Sequence, residues 1–159
     1  MLLLAILLDV LSPESHPARA DAPPAARGTP SAPPEKAARW SIEEIFGALR
    51  VVETGGSKSG GRQSTGDGGR AIGPFQIHRD YWVDSKVPGR FEDCRDLEYA
   101  RKVVLSYWRR YCPKALDALD AETLARIHNG GPAGLQKDST KAFWRKVERE
   151  LVDRRRRSA

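Results

Sequence analysis

The chain has 159 residues, 27 Lys and Arg against 21 Asp and Glu for a net charge of +6, and two cysteines. That length suits one domain with residues to spare, and two cysteines exclude both a disulfide-dense mini-scaffold and a four-thiolate zinc site. The longest apolar run, Leu2 to Leu8, falls short of the roughly 20 residues that a bilayer-spanning helix needs, so no membrane insertion is expected.

Taken in order, residues 1–20 read as a secretory signal: the apolar run is followed by Ala18-Arg19-Ala20, a small-x-small cleavage site before Asp21. No basic residue precedes the run, and Asp9 interrupts it. Residues 21–38 are rich in Ala and Pro, with nothing large and apolar to bury, and read as a disordered linker. Seven of the eleven prolines precede residue 35, whereas all twelve aromatic residues lie at or after Trp40. The packable domain is therefore residues 39–153, and Arg154 to Arg157 open a solvated basic tail over residues 154–159. Loss of residues 1–20 raises the net charge to +7. Such a charge favours nucleic acid, anionic lipid or an anionic cell wall without choosing among them.

Ser41 with Glu44 forms a capping box, and Ile42, Ile45, Phe46, Leu49 and Val52 recur at helical spacing, which predicts a helix over 42–53 ended by Gly55 and Gly56. Residues 55–69 hold seven of the fourteen glycines and must be a loop with turns. Ala71 to Ile77 reads as a short strand broken by Gly73 and Pro74, paired in a hairpin through Gly66-Asp67-Gly68-Gly69. Asp96 caps a second helix with the buried stripe Leu97, Ala100, Val103, Val104, Tyr107, Trp108 and Tyr111, stopped by Pro113. A shorter helix covers 121–128, and a last one runs from about Thr140 to Val152, burying Phe143 or Trp144, Val147 and Leu151. The sum is an α+β domain that is mainly helical.

Two carboxylates stand out. Glu53 lies on the last turn of the first helix, where the negative end of the helix dipole disfavours a charge and a carboxylic acid can keep the proton that general acid catalysis transfers. On placement alone it reads first as a surface glutamate at a helix end. Asp67 sits in a glycine turn, where aspartate is ordinary turn chemistry. A helix-ending glutamate and a hairpin aspartate can nevertheless face each other across a cleft, and two carboxylates in different environments are the pair that glycoside hydrolysis requires.

Other constellations are weaker. The glycine loop lacks the Gly-Lys-Ser/Thr ending of a P-loop. His16, His78 and His128, with Cys94 and Cys112, show no metal-ligand spacing, so neither metal nor cofactor is expected. Ser57, Ser59 and Ser64 share the loop, and nothing marks any of them as an activated nucleophile. The spacing of Tyr107, Trp108 and Tyr111 points to a core and not to nucleic acid.

Four strings occur in order: Val52-Glu53-Thr54-Gly55-Gly56; Gly73-Pro74-Phe75-Gln76-Ile77 with Tyr81-Trp82 after it; Phe91-Glu92-Asp93-Cys94; and Ile127-His128-Asn129-Gly130-Gly131-Pro132. Together they resemble the invertebrate-type lysozymes, the destabilase group, from about Ile45 to Val147. The resemblance implies a lysozyme-like fold with a small β-hairpin beside a catalytic cleft. It also implies hydrolysis of the β-1,4 bond between N-acetylmuramic acid and N-acetylglucosamine in peptidoglycan, with chitooligosaccharides as related substrates. Glu53 matches the family's acid and Asp67 its second carboxylate. Gln76, His78, Tyr81, His128, Asn129 and Gly130 would by resemblance line the sugar cleft, although Asn129-Gly130-Gly131 also reads as a helix C-cap. Animal members are crowded with disulfides, and this chain is not. Just before Gly73, where isopeptidase-active members would be searched for a serine, it reads Arg70-Ala71-Ile72, so the resemblance does not carry that activity.

The expectation is a monomeric enzyme, secreted or periplasmic. A lytic transglycosylase acting on the same bond with a glutamate alone is the nearest rival, and a catalytically silent wall-binding module is the rival of another class. Export to an oxidising compartment would further allow a Cys94–Cys112 disulfide, although a straight intervening helix would hold its ends about 21 Å apart.

Overall fold

A computed structural model describes residues 40–159; the expected signal segment and linker lie outside the described residues. Six α-helices and a three-stranded antiparallel sheet are present among them.

Helix α1 (Ile42–Thr54) starts at the expected capping box, in which Glu44 N–H donates to Ser41 Oγ and Ser41 N–H donates to Glu44 Oε2. It ends at Gly55, whose left-handed φ of 60° releases the chain from the helix. The hairpin follows as β1 (Thr65–Gly66) and β2 (Ala71–Ile72), joined by a 3-10 turn at Asp67–Gly69. Strand β3 (Ile77–His78) pairs with the other side of β2, with Ala71 opposite both Gly66 and His78. The expected broken strand is thus two short strands around a tight turn at residues 73–76. Gly73 is required there. Its φ is +76°, and a Cβ would lie 2.1 Å from the Cys94 carbonyl oxygen.

Helix α2 (Arg79–Ser85) leads to a 3-10 turn at Phe91–Arg95 and then to α3 (Leu97–Tyr111), which Asp96 caps by accepting from Tyr99 N–H. Pro113 stops α3 and also opens α4 (Pro113–Asp117), the position where a missing N–H costs nothing. Helix α5 (Ala121–Gly130) and the long α6 (Asp138–Ser158) complete the domain. α6 packs on α1 and α5, and α2 packs on α3. The core sits between them. Trp108 is fully buried, lies 5.3 Å from Phe46 and donates its indole N–H to the Leu124 carbonyl at 3.1 Å. Val147 and Leu151 are buried as expected, while Phe143 and Trp144 are only partly covered.

Three expectations require correction. Arg154 to Arg157 belong to α6: Arg155 pairs with Glu44 at 2.9 Å and stacks 4.3 Å over the Trp40 ring, and Arg157 pairs with Glu150. Ion pairs back along the helix and onto α1 thus extend the last helix into the supposed tail. The Cys94–Cys112 disulfide is not formed; both thiols are free. They flank opposite ends of the 15-residue α3, about 22 Å long at 1.5 Å per residue, far beyond disulfide reach. Gly130 serves packing and does not face the cleft. A Cβ there would meet Thr140 Cγ2 at 2.5 Å, and its carbonyl accepts from Lys137 Nζ at 2.6 Å.

Candidate active site

The end of α1, the hairpin, the 73–76 turn, α2 and the end of α5 converge on one cavity of about 280 Å³. Glu53, Asp67, Gln76, His78, Tyr81, His128 and Asn129 all line it, joined by Gly66 and Ala71. Of the residues expected in the cleft, only Gly130 is absent.

The two carboxylates sit in contrasting surroundings. Glu53 is held on the last turn of a helix whose buried face is locked into the core, and its side chain is only 16% exposed. Its Oε1 lies 3.3 Å from His128 Nε2. Asp67 stands at the hairpin tip with a side chain 60% exposed, and its Oδ2 lies 2.9 Å from His78 Nε2. Sheet register explains that pair. Gly66, Ala71 and His78 form one cross-strand row, and the small Ala71 between them leaves the path from Asp67 to His78 open.

Backbone strain gathers at the same place. Asp67 has φ 52° and Gln76 has φ 47°, left-handed values that non-glycine residues adopt at a cost. Gln76 compensates by donating Nε2–H to the Gly73 carbonyl at 2.8 Å, which closes its turn. Gly66 accommodates it: a Cβ there would lie 2.4 Å from Gln76 Oε1.

The far wall is aromatic. Tyr81 stacks on Tyr107 with ring centroids 3.6 Å apart and planes at 12°, and its hydroxyl lies 3.1 Å from His128 Nδ1. Burial, with Tyr107, Cys112 and Glu53 nearby, pushes the Tyr81 phenol well above its ordinary range, so it stays protonated. Tyr107 and Trp108 are buried and serve the core. The pairing of each carboxylate with its own imidazole had no sequence signal, because the partners come together only through the tertiary fold. The Phe75 carbonyl, 3.2 Å from His128 Nε2, was likewise invisible, being backbone.

A mainly helical domain with a small hairpin carrying one carboxylate toward another on a helix end defines the lysozyme-like class. The crystal structure of Tapes japonica lysozyme matches with a TM-score of 0.56 at 32% identity, over 66% of this chain and 86% of that one. Meretrix lusoria lysozyme in complex with Aeromonas hydrophila PliI is the subject of a second structure that matches equally, over 67% and 88%. The destabilase family profile matches residues 53–150, and the chain belongs to that family. It is 40% identical to a Magallana gigas lysozyme over 50% of this chain and 60% of the relative. To Lysozyme 1 of Crassostrea virginica it is 38% identical over 49% and 44%. The invertebrate-type lysozyme of Ruditapes philippinarum is 35% identical over 62% and 73%. The chain thus spans about half the length of the two oyster relatives.

Proposed function

We propose that the protein is a glycoside hydrolase of peptidoglycan, cleaving the β-1,4 bond between N-acetylmuramic acid and N-acetylglucosamine. The observation that carries this reading is one cavity lined by both Glu53 and Asp67, the first shielded and the second open to solvent. Glu53 donates its proton to the leaving glycosidic oxygen as the bond to the anomeric carbon breaks. Asp67 attacks that carbon or stabilises the oxocarbenium-like charge developing on it. Water then adds at the anomeric carbon, displacing Asp67 where it has bonded there and losing its proton to Glu53, which restores the acid and releases a reducing sugar with retained configuration. Gln76 and Asn129 offer amide groups along the cavity for the sugar's hydroxyl and acetamido groups. That one chain supplies every one of these side chains supports a monomeric enzyme. The relatives' names support the substrate class, and the apolar leader with its small-x-small site supports action outside the cytoplasm.

The test is product analysis after purified protein is incubated with peptidoglycan. New reducing ends and clearing of the suspension are expected. A 1,6-anhydro product in their place would make the protein a lytic transglycosylase, and binding without any released sugar would make it a wall-binding module.

A further inference from the structure

The contacts around His128 assign its hydrogens. Nε2 lies 3.2 Å from the Phe75 carbonyl oxygen and 3.3 Å from Glu53 Oε1, while Nδ1 lies 3.1 Å from the Tyr81 hydroxyl. A carbonyl oxygen only accepts, so Nε2 must carry a hydrogen. In the neutral ring Nδ1 is then bare and accepts the Tyr81 O–H.

We propose that His128 and Tyr81 are positioning residues for Glu53: the Nε2–H, set by the Phe75 carbonyl, holds Glu53 by Oε1 and leaves the other oxygen to address the glycosidic bond, while the Tyr81 hydroxyl, donating to Nδ1, holds the ring in that orientation. This inference rests on the glycosidase reading. It moves Tyr81 and His128 from sugar-binding roles to acting through the acid.

The surroundings leave the chain little freedom. The His128 side chain is 3% exposed, and its ring meets Phe75 and Trp108 edge-on at 6.5 Å and 6.4 Å. The Tyr107 stack immobilises the Tyr81 ring, so its hydroxyl stays on Nδ1. Without that hydroxyl the Phe75 carbonyl and Glu53 still keep the hydrogen on Nε2, but Nδ1 loses the partner that holds the ring's orientation. Loss of that one hydrogen bond then misorients the acid. Orienting partners of metal-bound histidines are worth about 10–100-fold in activity, and a loss of the same order is expected here.

The experiment pairs spectroscopy with kinetics. In nitrogen-15 NMR of the free protein, His128 should show a protonated Nε2 and a bare, hydrogen-bonded Nδ1; in Tyr81→Phe, which keeps the stacked ring, Nε2 should stay protonated while the Nδ1 resonance moves to that of a nitrogen without a donor. On peptidoglycan fragments, Tyr81→Phe should lower kcat about 10–100-fold with KM changed less than about two-fold. His128→Gln, whose amide can place an N–H near the Nε2 position, should recover part of what His128→Ala loses. A hydrogen on Nδ1, two protonated ring nitrogens, or an Nδ1 resonance unchanged in Tyr81→Phe would overturn the proposal. A rise in KM at constant kcat would overturn it too, and restore a sugar-binding role. The NMR readout needs no turnover, so a wild-type protein inert on every substrate would remove the glycosidase reading and, with it, the positioning role, while the tautomer result would still stand or fall alone.

Discussion

Replacing Gly73 by alanine should damage both stability and the site, by an amount that can be worked from local geometry. At φ +76° any L-residue adopts a left-handed conformation, costing about 1–2 kcal/mol. The added Cβ would also lie 2.1 Å from the Cys94 carbonyl oxygen and 3.1 Å from Arg95 Cα. Both atoms are backbone, so relief requires the hairpin and the Phe91–Arg95 turn to separate, an overpacking cost of about 1–3 kcal/mol. The total is about 2–5 kcal/mol. Gly68→Ala is the internal control, because Gly68 has nearly the same φ, +67°, but open space around its Cβ. It should lose only the conformational part, about 1–2 kcal/mol. Urea unfolding of the two variants at constant m-value measures the difference. Because the 73–76 turn also carries the Phe75 carbonyl and Gln76, Gly73→Ala should lose activity even where it is still folded. Equal destabilisation at the two positions would refute the argument that contact with the Cys94 carbonyl dictates this glycine.

Three further outcomes follow from the packing and the charge of the chain. Arg126 is buried and donates to Thr140 Oγ1, Glu122 Oε1 and the Leu135 carbonyl at 3.1, 3.0 and 2.7 Å; Arg126→Ala should cost about 1–3 kcal/mol in thermal or denaturant unfolding, chiefly by taking the donor from the Thr140 and Leu135 oxygens, and Arg126→Lys should recover only part because an ammonium lacks the planar fork. Burial, aided by Asp93 and Glu92, pushes the Cys94 thiol up to about 12, and burial with Asp120 pushes Cys112 to about 11. Alkylation near pH 8 should therefore be slow for the native protein and reach two thiols after denaturation, whereas an intact mass two hydrogens short would reveal a disulfide. With a formal charge of +6, activity on whole walls should fall as salt rises, and activity on a neutral chitooligosaccharide should fall much less; equal sensitivity would remove electrostatic steering.

Much of the fold was legible because single residues announce it locally. Ser41 with Glu44, Asp96 and Pro113 mark helix ends through hydrogen bonds within one turn, and the apolar stripe of α3 reports burial through its period. Helix α2 was not legible. Its seven residues, Arg79–Ser85, include two aspartates and bury only Ser85 fully, so no apolar stripe forms. The continuation of α6 was hidden for a different reason: four consecutive arginines look solvated until Glu44 and Trp40, distant in sequence, come to meet Arg155. At the site, Glu53 and Asp67 could be singled out by their positions at a helix end and a turn, and the family motifs supplied the residues around them. What those residues touch was another matter. His128 and His78 each settle against one carboxylate because of a helix end and a strand register, relations that spacing along the chain does not contain.

The central claim is that two carboxylates, and not one acid, perform the reaction. It is tested most directly by measuring turnover on peptidoglycan for Glu53→Gln and Asp67→Asn side by side, with sugar binding measured on the same proteins. Glu53→Gln keeps shape and hydrogen bonding without a transferable proton and should lose about 10²–10⁴-fold in turnover while binding survives. Asp67→Asn removes the charge facing the developing cation and should lose about 10²–10³-fold. If Asp67→Asn turns over at nearly the wild-type rate while Glu53→Gln is inactive, Asp67 is a turn residue and the single-acid transglycosylase describes the protein.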